Sequence, residues 1–504
     1  MKKAFISCLV FMFLFSMMAI PSQAQGVASA PTPPNVVVEQ GSWFEGAVPP
    51  NVDYNKSPIV FIHGLNGSAV GWFTDTLYYG KNDMYDYAYR NGYRTAFVNL
   101  RDVSGTAGSV WYNGSMLANM LKEMYEHFGK KLTIIAHSKG GVDAQAALVH
   151  YGASSYVNDV VTLGSPHHGT QLADLAYSWW AGWLAKIIGQ KNDGAYAMQT
   201  GEMQKFRALT DKEESVYNNS YYTASGKGHG PFLSAYWFGG AYLKNPNDGV
   251  VREYSTKLPY GYHFLRGGKS VNHDNIRKGS VSFSLIQSVL HANANKMMEP
   301  LTHTMPENES AIPEQLLRGG PLEAGITSEV IPIESGNDVV EIQVLTGKRN
   351  DILLSSSHGN FLSFHTTTQL EHDDSFFTGA YLQTYTLQRP KAGEYNVEIN
   401  SEGDDAYFII VNYKGSNDLN QQFSSMEQLD SQIFSSKNIL KIKKYENKEN
   451  SLQKIVEYND LFDGFDQQMI EAIQRPTENI TYDIVGQNEK GELFYRTVVN
   501  SSWD

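Results

Sequence analysis

The stretch Lys131-Leu132-Thr133-Ile134-Ile135-Ala136-His137-Ser138-Lys139-Gly140-Gly141 decides how this chain is read. Residues 132–136 are apolar and β-branched, the pattern of a buried strand, and a helical pattern over 140–150 follows at once. Between them stands a serine with small residues two positions away on each side, Ala136 and Gly140. A chain that turns so sharply from strand to helix holds the serine in a strained backbone conformation, and small neighbours avoid a clash there. The hydroxyl then stands at the C-terminal end of the strand, beside a helix N-terminus that favours developing negative charge. This is the layout of a nucleophile. The bland alternative is an ordinary strand–turn–helix connection with a solvent-facing serine, so the rest of the chain must supply the serine's partners.

Working outward, strand-like and helix-like segments alternate. Residues 58–62 and 94–100 read as strands. Leu117, Met120, Leu121, Met124, Tyr125 and Phe128 line one face of a helix over 111–128, and Gly129 supplies its stop. Residues 157–163 read as the strand after the serine segment. Such alternation predicts an α/β fold, a mostly parallel sheet with helices on both faces that binds ligands at the strands' C-terminal ends. The pattern loosens over about 171–245, an aromatic-rich insertion, then returns at Asp248 and closes with a helix over about 280–298.

The chain has 504 residues, enough for two or three domains. Met1-Lys2-Lys3, an apolar run to Ile20 and Pro21-Ser22-Gln23-Ala24 read as a secretory signal peptide over 1–24, with release outside the cell as the simplest outcome. Cys8, the only cysteine, falls inside that segment, so the mature chain is expected to hold no disulfide. No later segment is long and apolar enough for a transmembrane anchor. A net charge of −13 makes nucleic acid an unsuitable partner, and any lipid contact should be apolar. Residues 25–57 read as an irregular lead-in, 58–298 as the catalytic domain, 299–326 as a linker, and 327–504 as a β-rich, β-sandwich-like C-terminal domain whose ligand the residues do not identify. Within this last part, 414–475 reads as polar and irregular, partly helical, and a hairpin is expected across residues 488–491.

The Ala136-His137-Ser138-Lys139-Gly140 box resembles that of the Bacillus-type lipases of the α/β-hydrolase fold, which carry Ala-x-Ser-x-Gly. His63-Gly64-Leu65-Asn66-Gly67 follows the first core strand, where similar enzymes support an oxyanion hole. The resemblance implies that the backbone N–H groups of Leu65 and Lys139 hold the oxyanion. Each such donor is worth roughly 3–4 kcal/mol of transition-state stabilisation. His63 itself is expected to bond the loop. The resemblance further implies His273, just before the last core helix, as the base. It implies Asp248, in Asn247-Asp248-Gly249-Val250-Val251, as the acid that orients it. The order Ser138, Asp248, His273 is that of this fold. Alternatives stay open: His167 and His168 compete as base or as a metal-binding pair, and Asp274 as acid.

No cofactor is required by this chemistry. The Pseudomonas- and Burkholderia-type lipases hold calcium partly through an aspartate two residues after the catalytic histidine. Asn275 stands at that position here and no aspartate lies between Asp211 and Asp248, so that calcium site is not reproduced as such; a rearranged one would use Asp274. Trp179, Trp180 and Trp183, in a segment over 176–189, suit either a cap helix packed on the core or a lid that turns its apolar face to lipid. The combined expectation is a secreted serine carboxylic-ester hydrolase, a triacylglycerol lipase or related esterase acting on lipid or another ester. The alternatives are an extracellular polyhydroxyalkanoate depolymerase and an adhesion protein on a hydrolase scaffold.

Overall fold

The computed structural model describes residues 29–105, 107–180, 192–293, 314–356, 361–363, 366–370, 379–415, 439–447, 464–475, 477–488 and 490–503. The expected signal segment, Trp183 and residues 299–313 of the expected linker lie outside them.

Seven strands form the first sheet: β1 (Trp43–Glu45), β2 (Ile59–Ile62), β3 (Thr95–Val98), β4 (Leu132–His137), β5 (Val157–Leu163), β6 (Ser220–Ser225) and β7 (Gly261–Arg266). Their spatial order is β1-β3-β2-β4-β5-β6-β7, with only β1 antiparallel to its neighbour. Strands β2, β3 and β4 are buried at every residue, as a parallel sheet covered on both faces requires. Alternate side chains separate into two layers. Val60, Ile62, Val98, Ile134 and Ala136 pack beneath helices α2 (Val110–Phe128) and α3 (Lys139–His150). Ile59, Phe61, Phe97, Ile135 and Val161 face α1 (Met84–Arg90) and the last helix of this part, Gly279–Asn293. The ends of α2 follow from local chemistry. Ser109 Oγ accepts from the Tyr112 N–H at 3.2 Å, and Gly129, at φ +63°, closes the helix with its N–H on the Tyr125 carbonyl.

Among the described residues the cap contributes four helices, α4 (Gln171–Ala176), α5 (Asp193–Ala197), α6 (Thr200–Thr210) and α7 (Ala235–Tyr242); the helix Gly279–Asn293 is then α8. The insertion expected over 171–245 is interrupted: β6, parallel to β5 over Asp159–Leu163, belongs to the core sheet. Its sequence, Ser-Tyr-Tyr-Thr-Ala-Ser, lacks the aliphatic run that marks β2 and β4. The lead-in likewise contributes β1, which pairs with β3 over three residues.

The C-terminal region is antiparallel throughout. Strands β8 (Gln315–Ile333), β9 (Asn337–Thr346), β10 (Asp351–Ser356), β11 (Phe361–Ser363), β12 (Thr366–Gln369), β13 (Tyr381–Gln388) and β14 (Gly393–Gly415) form one sheet, and β15 (Ile439–Asn447), β16 (Glu478–Gln487) and β17 (Leu493–Ser502) another. Helix α9 (Gln467–Gln474) precedes β16.

Two expectations need correction here. Residues 315–326 are not linker but the first half of β8, which pairs with β14 from Gln315–Asn412 to Ile333–Gly393. Backbone hydrogen bonding along this whole ribbon overrides the glycines and the proline that made the segment read as linker. The register shifts between Glu402 and Asp405, with Gly403 at φ +95° and Asp404 at φ +49°, and β14 runs on through this bulge. The segment read as polar, irregular and partly helical over 414–475 contains, besides the helix α9, the strand β15.

The alternation of β14 ties the two halves together. Tyr407, Ile409 and Val411 point into the C-terminal region's own core. Ala406, Phe408 and Ile410 point the other way, into one apolar core shared with Leu172, Leu175, Trp180, Tyr196 and Tyr242 of the cap.

Candidate active site

Ser138 joins β4 to α3 with φ +53° and ψ −134°, a backbone state that a residue with a side chain adopts only at a cost. The structure brings the three sequence-expected side chains together around it. Ser138 Oγ lies 3.0 Å from His273 Nε2, and His273 Nδ1 lies 2.9 Å from Asp248 Oδ2. His273 is 4% exposed and Asp248 fully buried, while Ser138 stays partly accessible. The other oxygen of Asp248 accepts the N–H groups of Val250 (3.0 Å) and Val251 (2.7 Å), which fix the carboxylate and explain the Asn-Asp-Gly-apolar-apolar pattern. The His273 N–H donates to the Asp248 carbonyl at 2.9 Å, so the two loops hold each other by backbone as well.

The competing assignments fall elsewhere. Asp274 accepts from Arg277 Nη2 at 2.9 Å and from the Tyr78 N–H at 3.0 Å, away from the imidazole. His167 meets Thr162 Oγ1 at 3.2 Å and His168 the Lys257 carbonyl at 3.1 Å, and burial lowers the pKa of both. Asn275 spends its amide on the Ser270 carbonyl at 2.8 Å. Trp180 is 2% exposed and meets Phe408 edge-on at 5.8 Å, and Trp179 stacks on Tyr445 at 4.5 Å. Both contacts are with the C-terminal region.

His63 is a loop anchor. Its Nε2 accepts the Leu100 N–H at 3.1 Å, which leaves Nδ1 as the protonated nitrogen donating to the Gly64 carbonyl at 2.9 Å. Burial lowers its pKa, so the neutral ring persists. Gly64, one residue before Leu65, passes directly against the nucleophile: a Cβ there would sit 2.7 Å from Ser138 Cβ. Lys139 opens α3, and an N–H at a helix start has no partner within the helix. A loop on one side and a helix start on the other therefore flank the serine.

Sequence reasoning did not find three contributors. His137 Nε2 donates to the His273 carbonyl at 2.8 Å, tying the histidine loop to the serine turn; burial holds its pKa well below the usual value. Gly164, at φ +63°, leaves room for the Asp248–His273 pair, since a Cβ there would lie 3.0 Å from Asp248 Oδ2. The side chain of Lys139 turns inward to Asp143, at 2.9 Å from each carboxylate oxygen. The only trace of the last in the sequence is a lysine four residues before an aspartate at a helix start.

Residues 53–178 match the family model described as a PGAP1-like alpha/beta domain. Triacylglycerol lipases of Pseudarthrobacter phenanthrenivorans and Burkholderia plantarii are each 22% identical over 181 residues, 34% of this chain. The matched region spans 55% and 49% of those proteins, about half the length of each. The crystal structure of the mature form of the Bacillus licheniformis lipase BlEst2 is 46% identical and covers 50% of this chain and 99% of its own, with a TM-score of 0.46. The propeptide form of the same lipase is 32% identical, covers 92% of this chain and 97% of its own, and superposes with a TM-score of 0.74. Likeness of that extent, over catalytic and C-terminal parts alike, shows that the chain belongs to the α/β-hydrolase family of this Bacillus lipase.

Proposed function

We propose that the protein hydrolyses carboxylic esters through an acyl-enzyme on Ser138, with triacylglycerols as the substrate class. The observation that carries this reading is the hydrogen-bonded line from Ser138 Oγ through His273 to a buried Asp248, 3.0 and 2.9 Å per step, at a strained turn. His273 Nε2 takes the hydroxyl proton as Oγ attacks the ester carbonyl. The amides of Leu65 and Lys139 hold the resulting oxyanion, and Asp248 Oδ2 stabilises the imidazolium through Nδ1–H. Collapse of the tetrahedral adduct expels the alcohol, which leaves with the proton from His273. Water, deprotonated by the same nitrogen, then releases the acid and regenerates Ser138. The chemistry calls for no cofactor. The lipase relatives favour triacylglycerol over a polyester, and the 1–24 segment supports secretion.

The B. licheniformis structure that matches most of this chain is a propeptide form, and we infer that this chain is a precursor too. Every residue assigned a chemical role lies between His63 and His273, so the removable part is the C-terminal region, which packs Tyr445 and Phe408 against Trp179 and Trp180 of the cap.

The test is turnover of a dissolved short-chain ester and of emulsified triglyceride. Ser138→Ala is expected to abolish both, and Asp248→Asn and His273→Ala to lose about a thousandfold or more. Activity of Ser138→Ala within tenfold of the parent would end the mechanism. Removing the C-terminal region should raise the triglyceride rate more than the short-ester rate.

A further inference from the structure

Lys139 follows the nucleophile directly, yet its side chain is 1% exposed. Its ammonium donates to both oxygens of Asp143, one turn along α3, and lies 3.8 Å from Asp102 Oδ2. Asn113, fully buried in α2, donates its two amide hydrogens to Asp102 Oδ2 at 2.7 Å and Asp143 Oδ2 at 3.0 Å. Three buried charges are costly to assemble, and an aliphatic residue after the serine would fill the same space without that cost. Their location is therefore informative.

Asp102 sits in a short 3-10 turn, Arg101–Ser104, directly after Leu100, whose N–H donates to His63 Nε2 at 3.1 Å. Asn99 Oδ1 accepts the Ala69 N–H at 3.0 Å. The segment from Asn99 to Asp102 thus grips both flanks of Ser138. On one side it holds the His63 loop through Leu100 and the turn that opens at Ala69 through Asn99. On the other it holds the start of α3 through Asp102 and Lys139.

We propose that Lys139, Asp143, Asp102 and Asn113 are positioning residues that, with His63, set the separation of the residue 65 and residue 139 amides around Ser138 Oγ. This rests on the serine-hydrolase reading above. The oxyanion pair is then held by a buried charge cluster as well as by backbone geometry. The groups facing the Asp143 carboxyl are Lys139 on its own helix, Asn113 on α2 and Asp102 on the turn, with His63 beyond. Burial pushes that carboxyl up to about 7 against the pull of Lys139. Above that value Lys139 has an ionised partner; below it the partner is neutral and the first turn of α3 is held less firmly.

The experiment uses the full chain and the near-isosteric Asp143→Asn. Turnover of a dissolved ester, normalised to active sites, should fall about 10- to 100-fold, the scale set by displacing a catalytic group by about 1 Å. KM should stay within about threefold. A boronic acid that forms a tetrahedral adduct on Ser138 should bind more weakly by the same factor as kcat. The rate between about pH 6 and 8 should lose the part of its pH dependence that Asp143 supplies. A purely structural role predicts a lower Tm with kcat per site unchanged; kcat within twofold and unchanged boronate affinity would overturn the proposal. Should that variant not fold, Asn113→Ala keeps the Lys139–Asp143 pair and the 3.8 Å Lys139–Asp102 contact but removes the amide that bridges Asp102 to Asp143. It should lose about five- to tenfold in kcat and in boronate affinity together, and no change in either overturns the proposal equally. Failure of the underlying reading shows separately, as turnover that survives Ser138→Ala.

Discussion

At the residue scale, the site depends on glycines whose place no side chain could take, and Gly64 is the one that faces the nucleophile. Gly64 lies so close to the serine that an added methyl would meet Ser138 Cβ at 2.7 Å and the His137 carbonyl at 3.2 Å. Gly64→Ala is expected to push the loop off the nucleophile and cost about a hundredfold in kcat, with the fold retained. Circular dichroism alongside ester turnover checks both halves of that statement. Ser138, Asp248 and His273 were legible because each sits in a short motif whose backbone task is local: a strand end, an Asn-Asp-Gly turn, a loop before a helix. His137, Gly164 and the Lys139 cluster were not, because their partners are distant in sequence. His137 reaches His273, 136 residues on, and Asn113 reaches Asp143, 30 residues on. No periodicity encodes such pairs.

At the scale of elements, the core strands and α2 were readable from apolar runs and helical spacing, since burial on both sheet faces leaves few other residue choices. Strand β8 was not, because its stability comes from β14 across its entire length rather than from its own residues. The cap helices and the C-terminal elements also terminate one another. Gln315 Nε2 donates to the Tyr242 carbonyl at the end of α7 at 2.8 Å, and Asn479 Nδ2 to the Asp174 carbonyl in α4 at 2.8 Å. In the other direction Lys205 of α6, 2% exposed, donates to the Ile473 and Arg475 carbonyls closing α9, at 3.2 and 2.7 Å, and to Glu202 at 2.9 Å. A cation at a helix C-terminus is favourable, and more so out of water. Lys205→Met would strand those acceptors and Glu202, and should destabilise the protein by about 3 kcal/mol, the scale for breaking a buried pair. Urea unfolding measures the loss, and hydrogen exchange should show α9 opening first.

At the scale of the whole molecule, the two halves respond jointly to pH through Asp174. Burial raises this carboxyl from 3.8 to about 7. Thr200 donates to it from Oγ1 and from its backbone N–H, each at 2.8 Å, which does not offset that burial, and Thr200 Oγ1 also lies 3.2 Å from the Ser501 carbonyl of β17. The folded state therefore keeps a proton that the unfolded chain releases, and this group's contribution is present at low pH and lost as pH rises from about 3.8 to 7. Asp143, raised in the same direction, has the same sign. The buried, neutral His63, His137, His167 and His168 have the opposite one and destabilise the fold as pH falls below 6.5. Asp174→Asn isolates one contribution: its Tm relative to the parent should climb between pH 4 and 7 and then level off. A difference independent of pH would show that Asp174 keeps its ordinary titration.

The apolar core shared by Phe408, Ile410, Trp180 and Tyr242 also bears on what cutting the chain does. Severing the polypeptide between residues 293 and 314 should turn one molecule into two without separating them, because that core stays packed. What held the pieces together as neighbours on one chain becomes a dissociation constant, and dilution acts on it for the first time. A nicked sample should elute at the size of the intact chain and split only when diluted, or when detergent or a lipid surface competes for the apolar faces. On the precursor reading proposed above, the event that would uncover the cap is departure rather than hydrolysis of a peptide bond. Its rate should follow the amount of interface offered and not the amount of protease.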